Sequence, residues 1–224
     1  MLQHTVKAFL FDLNGTMIDD MDYHIIAWHD ILNELGADIS YEKAKAECYG
    51  KNHELLERIF PGRFTDEEKN AMSYAKEEKY QREFRPRLKL ISGLDSLIKE
   101  AKENQIAMAI GSAAIKFNID FVLDGLFMRD YFSAIVSADD VSFSKPHPET
   151  YLNCASKLGV SPGSCVVFED TPKGVECAYR AGMKVVVVNT MHDPEEFLGF
   201  DNILKFAKDF TGISLQKISS SFGS

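Results

Sequence analysis

Five short apolar runs constrain this chain more than anything else in its sequence. They span residues 6–11, 106–110, 134–136, 166–168 and 185–188. Apart from Lys7 in the first, each is apolar without alternation, as a strand buried on both faces requires, and a turn or polar residue follows it. Helical patterns fall between the later runs. One covers 92–103, one follows Ser112 to about Leu123, and one covers 148–158 with Pro148 in its first turn. A fourth starts with Thr171 as cap and Pro172 at the first position, and Gly182 stops it. Strands separated by helices give parallel pairing with helices on both faces. The expected fold is α/β, with a Rossmann-like doubly wound parallel sheet as its core.

One stretch breaks that rhythm. Residues 18–87 show only helical spacing, over about 20–35, 41–49, 52–60 and 65–84. Thr65 and Glu68 form a capping box, and Arg85-Pro86-Arg87 ends the last helix. The expected organisation is an α/β core from residues 1–17 and 88–224, with a helical cap, 18–87, inserted after the first strand. The active crevice is expected between the two parts, with cap motion admitting substrate. Trp28 reads as cap core. The Lys and Glu residues over 67–83 read as a solvated helix face. The run at 185–188 reads as the last strand and the polar tail, 219–224, as frayed.

Composition excludes some partners. The 224 residues carry a formal charge of −9, which argues against nucleic acid but leaves room for a small phosphorylated ligand in a locally positive site. No segment has the length of a membrane-spanning helix, and residues 1–5 do not read as a secretory leader. Cys48, Cys154, Cys165 and Cys177 show no CxxC or metal-type spacing. Reduced thiols and a cytoplasmic setting are expected. Oligomeric state is left open.

The chemistry collects where strands end, because loops at the carboxyl ends of an open α/β sheet surround a crevice. Asp12 ends the first run, Ser112 follows the second, Lys145 follows the third, and Glu169-Asp170 close the fourth. Three acids repel one another unless a cation sits among them, and hard oxygen donors suit Mg²⁺. Asp12 is placed as a nucleophile or a metal ligand. Lys145 and Ser112 are suited to hold a phosphoryl group, which an aspartate can accept as an aspartyl-phosphate. Ser112 can also cap the following helix. His29, His147 and His192 read as surface or loop residues.

Asp12-Leu13-Asn14-Gly15-Thr16, Ile110-Gly111-Ser112, Lys145-Pro146-His147-Pro148-Glu149 and Phe168-Glu169-Asp170-Thr171-Pro172 resemble, in order, the four motifs of the haloacid dehalogenase-like superfamily. Asp19, Tyr23-His24 and Ala27-Trp28 are similar to the opening cap helix of its β-phosphoglucomutases and related phosphatases. The resemblance implies that Asp12 is phosphorylated. Asp12, the Asn14 carbonyl, Glu169 and Asp170 would surround Mg²⁺, and Ser112, Ala113 and Lys145 would bind the phosphoryl group, with Thr16 positioning the loop. His24 stands open between structural bonding and contact near the site.

Position 14 departs from the family pattern, which usually has a second aspartate there as acid and base. An amide cannot exchange that proton. Three explanations stay open: an introduced substitution, a substrate that needs little protonation, or a protein that binds a phosphometabolite with little turnover. The mutase pattern also has basic residues where this chain has Tyr49 and His53. A histidine cannot supply an arginine's bidentate fork. The reading therefore favours a phosphatase acting on a small phosphorylated metabolite such as a sugar phosphate. A β-phosphoglucomutase-type mutase is the alternative.

Overall fold

The computed structural model describes residues 5–222. Its first strand, β1 (Ala8–Phe11), is buried along its whole length. Four helices follow: α1 (Met21–Glu34), α2 (Tyr41–Glu47), α3 (Asn52–Ile59) and α4 (Asp66–Phe84). The chain then alternates through α5 (Leu94–Glu103), β2 (Ala107–Gly111), α6 (Lys116–Gly125), β3 (Ala134–Val136) and α7 (Glu149–Leu158). It closes with β4 (Cys165–Glu169), α8 (Pro172–Arg180), β5 (Lys184–Val188), β6 (Ile203–Ala207) and α9 (Leu215–Phe222).

The sheet has strand order β3-β2-β1-β4-β5-β6 and every pairing is parallel. The chain starts at the centre, walks out to β3, and returns beside β1 to build the other half. Such a reversal opens a crevice at the carboxyl ends of the two central strands. Phe11 pairs with Ile110 on one side and Phe168 on the other. That register brings Asp12, Gly111 and Glu169 level at one end of the sheet.

Period-two alternation sorts the core. On one face Phe11 stacks on Phe168 at 4.6 Å, and Phe9 meets Phe168 edge-on at 5.2 Å. On the other, Ala8, Leu10, Val167 and Val185 pack with Tyr151 and Cys154 of α7 and Val175 and Cys177 of α8. Each large apolar side chain so buried contributes about 1.5–3 kcal/mol.

Two expectations about the end of the chain are corrected. β6 is a sixth strand beyond 185–188. It lies at the sheet edge and is half exposed, so its run, interrupted by Lys205, carries no continuous apolar signal. The tail is helical through Phe222, because Ile218 and Phe222, one turn apart, are buried while the serines between them face out. Residues 1–4 and 223–224, on which the leader and tail readings partly rest, lie outside the described residues.

By its internal contacts the chain divides into two compact units, one running to Asp19 and resuming at Lys89, the other Asp20–Leu88. The second unit has its own core of Trp28, Leu32, Leu55, Leu56 and Phe60. Its longest helix, α4, corrects another expectation. Residues 67–83 do not form a uniformly solvated face: Ser73, Lys76, Glu77, Tyr80 and Gln81 are buried, at helical spacing, on one stripe that ends in Phe84. The stripe is largely polar, so hydrophobicity does not reveal it. No described helix is long and apolar enough to cross a membrane.

Candidate active site

β1 ends at Phe11, and the Asp12 amide makes one further bond to the Phe168 carbonyl at 3.0 Å. The chain then turns sharply. Met17 N–H reaches the Leu13 carbonyl, and Gly15 N–H the Ile18 carbonyl, both at 2.8 Å. Gly15 has φ +77°, where a side chain would be strained. Thr16 is buried within this turn and donates from Oγ1 to Asp170 Oδ1 at 2.9 Å. Thr190, just past β5, donates from Oγ1 to the Gly15 carbonyl at 2.8 Å. The Asp12–Thr16 turn is therefore tied to the ends of both β4 and β5.

Lys145 reaches the same place from the loop after β3. Its Nζ donates to Asp12 Oδ1 at 2.6 Å, Glu169 Oε1 at 2.6 Å and the Tyr151 hydroxyl at 2.9 Å. Tyr151 in turn donates to Glu169 Oε1 at 2.8 Å. The other Glu169 oxygen accepts from the amides of Asp170 and Thr171, at 3.0 and 3.1 Å, and from Thr171 Oγ1 at 3.1 Å. A carboxylate offers about four lone-pair sites, so these bonds occupy all of the Glu169 acceptor capacity. Close packing also pins it. A Cβ built on Gly174 would lie 1.8 Å from the Glu169 carboxyl carbon.

The electrostatics follow from burial. Asp12 is 8% exposed, Glu169 and Asp170 1% each. Burial pushes the Glu169 carboxyl up, but the Lys145 charge and hydrogen bonds outweigh it and hold the group below its ordinary value. Burial pulls the Lys145 ammonium down, and the charges of Asp12 and Glu169 reverse that, so the group stays firmly protonated. Burial, then the charges of Glu169 and Asp12, push the Asp170 carboxyl well above the usual range; the Thr16 hydrogen bond and the Lys145 charge pull it down but are outweighed. Burial also pushes the Tyr151 phenol well up, which keeps its donor proton in place.

Among the described residues no three His, Cys, Asp or Glu side chains form a metal cage unaided. Mg²⁺ does not require one. It takes one or two carboxylates, keeps waters and shares phosphate oxygens. Asp12, Asp170 and the Asn14 carbonyl are donors of that type, and a cation would relieve the buried Asp170, whose carboxyl the neighbouring acids push up. The residues fit such an ion.

The other expected positions divide between the two units. Asn14 is half-buried in the turn and bridges to Ile18. Ser112 is buried one strand over from Asp12, and its Oγ accepts from Ala114 N–H at 3.1 Å. It closes a turn and does not cap α6, whose N-cap is Ile115. Ala113 beside it is half-buried.

His24 and His53 belong to the helical unit. Lys76 Nζ lies 2.5 Å from His24 Nδ1, and His24 Nε2 lies 3.2 Å from Asp20 Oδ2. An ammonium can only donate, so Nδ1 accepts and Nε2–H donates to Asp20. Tyr80 donates to the same Asp20 oxygen at 2.6 Å and stacks on His24. His53 Nε2 meets Asn70 Oδ1 at 2.9 Å.

Sequence reasoning missed Tyr151 and Thr190. Tyr151 falls on the core face of α7 with Cys154, Ala155 and Leu158, and a phenol on a core face needs a polar partner. Thr190 lies just past a strand end, as Asp12 does.

The sequence profile described as haloacid dehalogenase-like hydrolase matches residues 9–188. A fructose-1-phosphate phosphatase of Escherichia coli is 29% identical over 188 residues, covering 82% of this chain and 97% of its own. A β-phosphoglucomutase of Bacillus subtilis is 31% identical over 216 residues, covering 92% of each. Among solved structures, a family IA hydrolase of the haloacid dehalogenase type from Entamoeba histolytica superposes with TM-score 0.87 at 26% identity, covering 98% of this chain and all of the other. A β-phosphoglucomutase from Clostridium difficile gives 0.84 at 27%, covering 97% of each. The chain belongs to the haloacid dehalogenase-like hydrolases and, with phosphatases and a phosphoglucomutase as relatives, is an enzyme of that family.

Proposed function

We propose that this chain is a Mg²⁺-dependent phosphatase that hydrolyses a sugar or polyol monophosphate through an aspartyl-phosphate on Asp12. The observation that carries the reading is the Lys145 ammonium 2.6 Å from Asp12 Oδ1 at the sheet's switch point. An Asp12 carboxylate oxygen attacks phosphorus, the ester P–O bond breaks, and the leaving oxygen takes up a proton. Water then attacks the aspartyl-phosphate, which returns the carboxylate and releases phosphate. Lys145 and the Ser112 hydroxyl hold the phosphoryl oxygens, and the Ala113 backbone lies beside them. Asp12, the Asn14 carbonyl and Asp170 hold the metal, which when bound neutralises charge between the acids and the phosphoryl group. Glu169, its acceptor sites filled, orients Lys145 and the β4–α8 turn.

Substrate class is supported by relatives named as fructose-1-phosphate and hexitol phosphatases. Hydrolysis is favoured over mutation because bases of the helical unit are already engaged. Arg58 binds Glu47 and the Tyr49 carbonyl, Lys76 pairs with Glu77, and His53 meets Asn70. The four cysteines are free, which supports a reducing, cytoplasmic setting.

Asn14 cannot protonate the leaving group, so that proton comes from water or substrate and turnover is slow. The test is Mg²⁺-dependent phosphate release from a panel of sugar and polyol phosphates by this chain and by Asn14→Asp. The variant is expected to be faster by about 10²–10⁴-fold, the usual contribution of general acid–base catalysis. Silence from both across the panel refutes the reading. Strict dependence on glucose 1,6-bisphosphate would replace it with the mutase.

A further inference from the structure

We propose that Tyr151 aims the Lys145 ammonium at the Asp12 carboxylate, which makes it a positioning residue for phosphoryl transfer. The inference rests on the reading of Lys145 as holder of the phosphoryl group. An ammonium has three N–H donors on a stem that rotates freely. Here each donor has one partner: Asp12 Oδ1, Glu169 Oε1 and the Tyr151 hydroxyl. One anchor leaves the ammonium free to turn. Two anchors, Glu169 and Tyr151, fix the third N–H on Asp12 Oδ1, beside the point where phosphorus bonds.

Tyr151 is built for this role. It has no exposed surface and sits on α7 among core residues. Its proton goes to Glu169 Oε1 at 2.8 Å, so an oxygen lone pair faces Lys145. Lys145 Nζ also lies 4.6 Å from its ring centroid. The other core-facing side chains of α7 include Cys154 and Ala155, and packing alone would be satisfied there by phenylalanine. The hydroxyl serves Lys145 and Glu169.

Calorimetric titration of inorganic phosphate into the full chain supplied with Mg²⁺ reads the Lys145 grip without turnover, so Asn14 does not confound it. Tyr151→Phe is expected to weaken phosphate about tenfold, the effect of one misdirected charge-assisted hydrogen bond. Lys145→Met weakens it further, and Tyr151→Phe then has no additional effect, because the two act as one unit. An unchanged affinity in Tyr151→Phe, or an equal loss in the Lys145→Met background, overturns the inference. If the unaltered chain binds no phosphate, the phosphoryl-transfer reading falls and this inference with it. If it binds phosphate and Tyr151→Phe binds equally well, only this inference falls. A measurement on the unaltered chain guards against a poorly folded variant. In lysine-¹⁵N NMR, the ammonium signal that Lys145→Met removes should exchange slowly with water, and rapid exchange refutes a pinned ammonium.

Discussion

Gly174→Ala sets two physical rules against each other. Gly174 is the third residue of α8, where alanine should favour the helix by about 1 kcal/mol. The structure predicts the opposite sign. The new Cβ would lie 1.8 Å from Cδ and Oε1 of Glu169 and 2.2 Å from Oε2. An ordinary contact is about 3.5 Å, so the carboxylate must withdraw by roughly 1.5 Å. Its donors stand at 2.6–3.1 Å, and such a shift takes several beyond bonding range. Each hydrogen bond to a charged group contributes about 1.5–3 kcal/mol. Two lost bonds, less the helix gain, leave a net destabilisation of roughly 2–5 kcal/mol. At about 2–4 °C per kcal/mol for a chain of this length, Tm should fall by roughly 4–20 °C. Thermal and urea unfolding of both proteins in metal-free buffer measures it. A Gly174→Ala protein as stable as the parent, or more so, would show that Glu169 is not clamped.

Two more predictions concern buried charge. Glu77→Gln leaves the Lys76 ammonium buried without its adjacent carboxylate and should destabilise the protein by about 3 kcal/mol at neutral pH, measured by urea unfolding. Burial pushes the Glu77 carboxyl up, but the Lys76 charge, helped by a hydrogen bond from Asn52, holds it below the ordinary 4.5. Its contribution is therefore present above that pH and lost as pH falls through the folded value, so the gap between the two proteins should narrow in acid. Asp170→Asn should raise Tm at neutral pH in metal-free buffer. Its folded carboxyl is raised by burial and by Glu169 and Asp12, so ionising it costs stability as pH rises from the ordinary 3.8 through the folded value. The gain should vanish below that window, and a gain that persists there refutes the assignment.

The strand ends were legible because their signals are local. A continuous apolar run followed by a carboxylate, or by Asn-Gly, announces a strand and a turn within ten residues. The partners were not local. Lys145 and Asp12 lie 133 positions apart, and only the parallel register brings them level. β6 escaped because an edge strand is paired on one side and half exposed, so its apolar pattern is diluted by Lys205.

Tyr151, Lys76 and Glu77 escaped for a different reason. Each occupies the inward phase of its helix, three or four residues from other buried positions. Residue type assigned the two charged ones to the solvent face and left the third unremarked as core. A polar group at a core phase costs about 1–3 kcal/mol unless it has a partner, and a charge costs more. Helical phase and residue type together therefore imply a partner at such a position. Tyr151 requires a donor and acceptor nearby and finds Lys145 and Glu169. Lys76 requires an anion and an acceptor, and finds Glu77 and His24. Phase read together with chemistry would have marked all three.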